Sequence, residues 1–118
     1  MAKQIEVRCS SAVATLIIAA LEWFVARTYP RASDECSAAA REALLDLADR
    51  FKRELLMEGR ALYSRRIRAF LCEAVKGYLA EQEALSGRSY THRCRVLIDV
   101  CRGDSDDAGF AEAERLDG

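Results

Sequence analysis

Cys9 has the residue type and the position that most favour chemistry, because Ser10 and Ser11 follow it directly. A strand pattern ends at Cys9 and an apolar helix pattern starts behind the serines, so the first helix amides would face the thiol. A thiol placed there can have a lowered pKa and act as a nucleophile. A phosphatase-type loop is incomplete, however, since Thr15 stands where its arginine belongs. We favour a buried Cys9 that closes an apolar strand face, with a thiol enzyme as the alternative.

His92, Cys94 and Cys101 form the second candidate group, because all three side chains can bind soft metals. Zinc sites normally contain paired cysteines separated by roughly two to four residues, and the sequence has no such pair. Cys94 and Cys101 would lie on opposite faces of a strand, or two turns apart on a helix. His92 is the only histidine, and no nucleophile motif lies near it. We predict no metal, no cofactor and no catalytic residues.

Residues 60–102 form the basic part of the chain, with nine basic side chains against four acidic ones. Guanidinium groups bind carboxylates and phosphates through paired hydrogen bonds, so such a region suits a docking face. Tyr63 and Tyr90 lie nearby and offer rings on which bases can stack. A helix-turn-helix over 79–96 fits poorly, because Arg93 falls where an apolar residue should anchor it. The candidate partner-binding residues are Arg65, Arg66, Arg68, Arg93 and Arg95.

The length and the net charge limit the classes of function that the chain can have. The chain has 118 residues, which fits one domain, and a net charge of −1, which is far from strongly basic. Residues 103–118 carry six acids and one base, so this acidic segment can lie against the arginines of the same chain. A solvated charged face is the commoner origin of a run such as 60–102.

The cysteine content indicates the compartment. The five cysteines leave one unpaired and include no C-x-x-C motif, and the chain has no asparagine for N-glycosylation. We predict reduced thiols in a cytoplasm.

The stretch Ser10–Thr28 is the organising element, since no other segment is apolar on all sides. Such a helix is expected at the centre of a core. No charged side chain occurs from Cys9 to Leu21, a run of 13 residues, whereas a membrane span needs about 20. Glu22 would lie in the hydrocarbon, so we predict a buried helix and no membrane. The charged residues before the run and the missing cleavage site argue against a signal peptide.

Residue spacing defines three further elements. Lys3–Cys9 alternates apolar and polar side chains, which predicts a strand. A second helix is predicted to begin after Ser33 and to end at Gly59. A third helix is predicted over Ala61–Leu85, and Gly77 inside it indicates close approach by a neighbouring element.

The segment Ser89–Arg102 fits both a helix and a strand. As a helix it has an apolar stripe and Gly103 as a cap, and as a strand it has β-branched residues on one face. The N-terminal strand needs a ladder partner for its backbone groups, and this segment is the only other strand candidate. We therefore predict a strand.

These elements predict an α+β domain with three helices around a buried first helix and a small sheet formed by the N- and C-terminal strands. The alternative is an all-α four-helix bundle. Residues 1–103 are predicted as the single globular domain and 104–118 as an acidic, flexible tail. Pairing of two ribbons across a two-fold axis would complete a four-stranded sheet, so we expect a homodimer.

The missing catalytic motif and the separate basic and acidic regions favour a binding protein. We predict a small non-enzymatic adaptor, inhibitor or regulatory protein of bacterial or phage type that acts through protein–protein contacts. The alternative is a nucleic-acid-binding regulator that uses the Arg-rich face.

Overall fold

The computed structural model describes residues 3–29 and 34–118, and most of them are helical. The elements follow in the order β1 (Gln4–Arg8), α1 (Ser11–Thr28), α2 (Glu35–Arg50), α3 (Leu56–Glu58), β2 (Arg60–Ser64), α4 (Arg68–Ser86), α5 (Thr91–Cys101) and α6 (Phe110–Asp117). A π-helical turn, Phe51–Leu55, joins α2 to α3 without a break, and a 3-10 turn, Arg65–Ile67, joins β2 to α4. Several helices with a small antiparallel sheet agree with the predicted α+β class.

Helix α1 contributes a set of buried side chains to the core, whereas the predicted arrangement of three helices around a buried first helix stays a prediction. Val13, Ile17 and Leu21 are completely buried along it. Ser10 caps its first turn, because the serine hydroxyl accepts a hydrogen bond from the N–H of Val13 at 3.3 Å. Helices α2 and α4 both pack against α1 and cover part of its apolar surface, so that seven of its 18 residues are buried.

Helix α2 starts one residue later than predicted. Asp34, the predicted first residue, instead caps the helix by accepting a hydrogen bond from the N–H of Ser37 at 2.8 Å, and Ser33 lies outside the described residues. The helical run that continues through the π-helical turn and α3 ends at Gly59, as predicted. Gly59 has a φ of +80°, which favours glycine, and there the chain reverses into β2.

The small sheet exists, but the predicted partner of the first strand is wrong. β1 pairs antiparallel with β2, with Ile5 opposite Tyr63 and Val7 opposite Ala61. All four side chains are buried, so this pairing places one sheet face on the core. The third helix, predicted from Ala61, begins only at Arg68. The alternation of β2 spans just five residues, and Tyr63 also fits the helical stripe that follows.

The segment Ser89–Arg102 contains helix α5, so the predicted C-terminal strand is wrong. Leu97, Val100 and Cys101 are buried at helical spacing. The partner that β1 requires is supplied by β2, which removes the argument that favoured a strand here. Gly103, with a φ of +76°, ends the helix. The alternative, an all-α four-helix bundle, is also wrong, because β1 and β2 form a sheet.

The two-stranded sheet has both outer edges occupied at their centres. An added Cβ on Gly103 would lie 3.1 Å from the carbonyl oxygen of Glu6 in β1, so the two backbones nearly touch. The Leu62 carbonyl of β2 accepts a hydrogen bond from the Arg50 guanidinium. The predicted homodimer would form a four-stranded sheet through a free strand edge. Over the described strands, neither edge is free along its whole length. The homodimer itself stays a prediction.

The close approach predicted at Gly77 is confirmed. The indole of Trp23 lies on the α4 backbone there, and an added Cβ would come within 2.9 Å of the ring. Tyr78 meets the same ring edge-on, with 6.1 Å between ring centroids. The glycine thus lets α1 and α4 pack closely around the only tryptophan of the chain.

The acidic C-terminal segment contains helix α6, which packs on α5 and buries Ala113. Before this helix, the Asp107 carboxylate accepts a hydrogen bond from the N–H of Ser10 at 2.7 Å. The predicted boundary separates residues 1–103 from a flexible tail, yet the structure packs part of residues 104–118 on the rest of the chain. The flexibility of this segment stays a prediction.

Candidate functional site

Three of the predicted partner-binding residues stand together where β2 passes into α4. Arg65 and Arg66 lie on the 3-10 turn and are exposed, and Arg68, which is half-buried, is the first residue of α4. The hydroxyl of Ser64 fixes the turn by accepting a hydrogen bond from the N–H of Arg66 at 3.3 Å. We call these three arginines the basic turn. Among the described residues, none of the three forms an ion pair.

Two large apolar side chains flank the basic turn in the chain. Leu62 is 41% exposed on the outward face of β2, and Phe70 is 38% exposed in the first turn of α4. Arginine and aromatic side chains are the types most enriched in protein interfaces. The basic turn and its flanking residues therefore have the composition of a docking surface.

Arg93 and Arg95 lie at a different place. Helix α5 runs back along α4, and the N–H of Tyr90 donates a hydrogen bond to the Glu83 carboxylate at 2.6 Å. Glu83 is 15 residues beyond Arg68 on α4, a rise of about 22 Å. The start of α5 is therefore remote from the basic turn, and the five predicted residues do not form one surface.

Arg93 is held within the chain. Its Nε donates to the Asp117 carboxylate at 2.9 Å, and its guanidinium carbon lies 3.8 Å from the centroid of the Tyr90 ring. The side chain is only 17% exposed. These contacts fix α6 against α5, so Arg93 has a structural role in the chain.

Arg102 joins the basic end of the molecule instead, a grouping that sequence proximity did not indicate. Burial raises the pKa of the Cys72 thiol, and the nearby charges of Lys76, Arg102 and Arg68 oppose this rise. All three cations therefore lie close enough to Cys72 to act on its thiol, and Arg102 is also paired with Asp104 at 3.5 Å. An antiparallel pairing of α4 and α5 would have indicated this, because it brings the end of α5 back to the start of α4.

A groove of about 430 Å³ runs between α4 and α5. Its lining combines three small or medium apolar side chains with charges of both signs: Lys76, Ala80, Glu83, Thr91, Cys94, Arg95, Ile98 and Asp99. Within the described part of the chain, Lys76, Arg95 and Asp99 form no ion pair. We call this feature the α4–α5 groove. Of its residues only Arg95 was predicted, although Lys76, Ala80 and Glu83 have the spacing of one helix face.

Cys9 is buried, which agrees with the favoured interpretation of this residue. It is 8% exposed, and burial, with a smaller effect from Asp107, raises the pKa of its thiol to about 12. The Ser10 amide beside it is already bound to Asp107. Burial likewise raises the pKa of Cys94, and of the fully buried Cys101 well above its usual value. At neutral pH these thiols are protonated and unsuited to nucleophilic attack.

The residues considered as metal ligands are not assembled. Among the described residues, no group of three or more His, Cys, Asp or Glu side chains is placed to hold a metal ion. His92 Nδ1 lies 2.9 Å from the Asp117 carboxylate, and Cys101 is buried at the other end of α5.

Helix α1 meets the length and hydropathy of a membrane-crossing helix. The core helix of a water-soluble protein and an N-terminal signal sequence pass the same test, and 39% of this helix is buried inside the protein. The apolar composition of α1 therefore does not decide the compartment.

No family model, curated protein or solved structure matches this chain.

Proposed function

We propose that the chain is a small non-enzymatic binding protein, an adaptor, inhibitor or regulator of bacterial or phage type, that docks an acidic protein partner on the basic turn. The observation that carries this proposal is the grouping of Arg65, Arg66 and Arg68 without a carboxylate partner among the described residues, between the exposed Leu62 and Phe70. Partner carboxylates would supply the missing acceptors, and the apolar side chains would supply contact area.

The shape of the basic region favours a protein over a nucleic acid. Binding along a nucleic acid requires a stripe of cations that follows successive phosphates. Here Arg93 is bound to Asp117 at the far end of α4, and Arg102 is paired with Asp104 at 3.5 Å, so neither extends the basic turn as an unpaired cation. Leu62 also adds an aliphatic contact that a phosphate backbone would not use.

A nucleic-acid-binding regulator is the second candidate, and one observation favours it. Phe70 lies two residues beyond Arg68, so an aromatic ring accompanies unpaired guanidinium groups. Single-stranded nucleic acids bind to such combinations through stacking and phosphate contacts.

The thiols support two further parts of the proposal. The five free cysteines are consistent with a reducing cytoplasm, which we propose as the compartment. The raised pKa of Cys9 supports a function without a thiol nucleophile. We propose no cofactor and no membrane contact.

The test is a pull-down from bacterial lysate with the full chain as bait, with and without nuclease. We expect a protein that survives nuclease treatment and whose capture falls at least tenfold for Arg65→Glu/Arg66→Glu. The matched control is Arg53→Glu/Arg88→Glu, which makes the same charge change at two exposed arginines elsewhere. Equal capture by both variants would overturn the proposal.

A second measurement separates the two candidates. Binding to a duplex oligonucleotide and to a single-stranded poly-dT oligonucleotide is measured at low and high salt. We expect no retention on either. Nuclease-sensitive capture, together with salt-dependent oligonucleotide binding that the basic-turn variant loses, would replace the protein partner by a nucleic acid.

A further inference from the structure

We propose that the α4–α5 groove is the interface of a homodimer in which a second copy of this chain packs the same two helices face to face. None of the three arginines of the basic turn lines this groove, so the inference goes beyond the proposed function. It also differs from dimerisation through the sheet, whose edges are occupied by Gly103 and Arg50.

The apolar part of the groove allows two helix pairs to approach closely. Ala80 is exposed on α4, and Cys94 and Ile98 are half-buried on α5. Helices with small side chains at their contact pack at the short end of the usual interaxial distances of about 8–10 Å. A second α4–α5 pair would cover these three side chains and complete a four-helix arrangement around them.

The charges on α4 are self-complementary about a two-fold axis. Lys76 and Glu83 are seven residues apart, so they lie on one helix face on either side of Ala80. An axis near Ala80 makes α4 meet its symmetry mate in the antiparallel direction, which places Lys76 beside Glu83 of the second copy. Parallel packing would place lysine beside lysine and is therefore opposed.

Helix α5 adds a second pair of opposite charges to the groove. Arg95 and Asp99 both line the groove, and neither forms an ion pair within the described chain. In the antiparallel dimer, α5 runs in opposite directions in the two copies. The long side chain of Arg95 in one copy can then extend toward Asp99 of the other. Each copy thus contributes two cations and two anions to an interface whose net charge is zero.

Mixed charge variants test this geometry directly. Analytical ultracentrifugation of the full chain at low salt should show a dimer. Lys76→Glu and Glu83→Lys should each raise the dimer dissociation constant at least tenfold, because each faces like charges across the axis. An equimolar mixture of the two variants should dimerise again, since one copy then carries only acids at these positions and the other only bases.

Glu83 also binds the Tyr90 amide, so a second variant is needed that leaves this contact intact. Ala80→Arg adds a bulky charge at an exposed helix position, and we expect a monomer with an unchanged circular dichroism spectrum. The basic-turn variant Arg65→Glu/Arg66→Glu should remain dimeric, which separates this inference from the proposed function. A wild-type monomer at high micromolar concentration would overturn the inference, as would a dimer that tolerates Ala80→Arg.

Discussion

The carboxylate of Asp117 accepts hydrogen bonds from both the backbone N–H and the Nε of Arg93, at 3.0 and 2.9 Å. The backbone N–H and Nδ1 of His92 lie 2.8 and 2.9 Å from the other carboxylate oxygen. The Asp117 side chain is completely buried by these contacts. Asp117 therefore caps helix α5, because two of the first backbone N–H groups of α5 donate hydrogen bonds to this side chain of α6.

Replacement of Asp117 by Asn should destabilise the protein and release α6. The variant loses the negative charge that faces two amides and a guanidinium group, and hydrogen bonds to charged groups contribute about 1.5–3 kcal/mol each. We expect the free energy of unfolding in urea to fall by about 2 kcal/mol and the C-terminal segment to be cleaved faster by protease. Glu114→Gln, at an exposed position of the same helix, is the control and should change neither quantity. Rapid wild-type cleavage at the same segment would instead support the flexible tail.

The stability that Asp117 provides should depend on pH. Burial opposes ionisation of this carboxyl, but the hydrogen bonds from Arg93 and His92 outweigh that effect and lower its pKa below the usual value. A group with a lowered folded-state pKa stabilises the fold above its unfolded pKa, near 4, and loses this effect as the pH falls further. The wild type should therefore lose its stability advantage over Asp117→Asn between about pH 4 and pH 2. A constant difference over that interval would contradict the assignment.

Gly103 should tolerate alanine less well than Gly87, although both end a helix with positive φ. The conformational penalty for alanine in this region is about 1–2 kcal/mol and applies to both positions. At Gly87 the added Cβ meets open space, whereas at Gly103 it would lie 2.8 Å from the Ile5 side chain and 3.1 Å from the Glu6 carbonyl oxygen. Overpacking of this kind adds about 1–3 kcal/mol. Chemical denaturation should therefore show a larger loss for Gly103→Ala, and equal losses would show that the contact with β1 is unimportant.

The effect of Gly77→Ala on the stability of the protein should change sign according to the residue at position 23. In the wild type, the new Cβ would meet the Trp23 ring at 2.9 Å, and we expect a loss of about 1 kcal/mol because strain exceeds the gain in helix propensity. In a Trp23→Ala background the ring is absent, and the same change should stabilise the protein by about 1 kcal/mol. A double-mutant cycle followed by circular dichroism measures the difference. Additive effects would show that the ring and the glycine do not interact.

The sequence predicted elements whose signals are local and long. Helix α1 has a continuous apolar run, and the close contact at Gly77 follows from a glycine in a helix interior. β2 was missed because its signal is five residues long and because its strand pairing with β1 depends on contacts distant in the chain. Because β2 was missed, Ser89–Arg102 was the only remaining partner for β1, and this segment was therefore wrongly predicted as a strand.

The candidate site shows the same limit. Arg65, Arg66 and Arg68 are neighbours in sequence and in space, so the sequence located the basic turn. Arg93 also lies in an arginine-rich stretch, but its side chain is held by Asp117, which lies 24 residues away in the sequence. The α4–α5 groove exists only because two helices pair, and no single segment contains its pattern.

Cys9 should react slowly with thiol reagents in the folded protein. Burial raises the pKa of its thiol to about 12, so the reactive thiolate is scarce at neutral pH. The exposed Cys36 on α2 provides an internal control. Iodoacetamide labelling at pH 7.5, followed by mass spectrometry, should modify Cys36 first and Cys9 only after urea unfolds the chain. Modification of Cys9 as fast as that of Cys36 would show an accessible thiolate at the start of α1 and would revive the thiol-enzyme alternative.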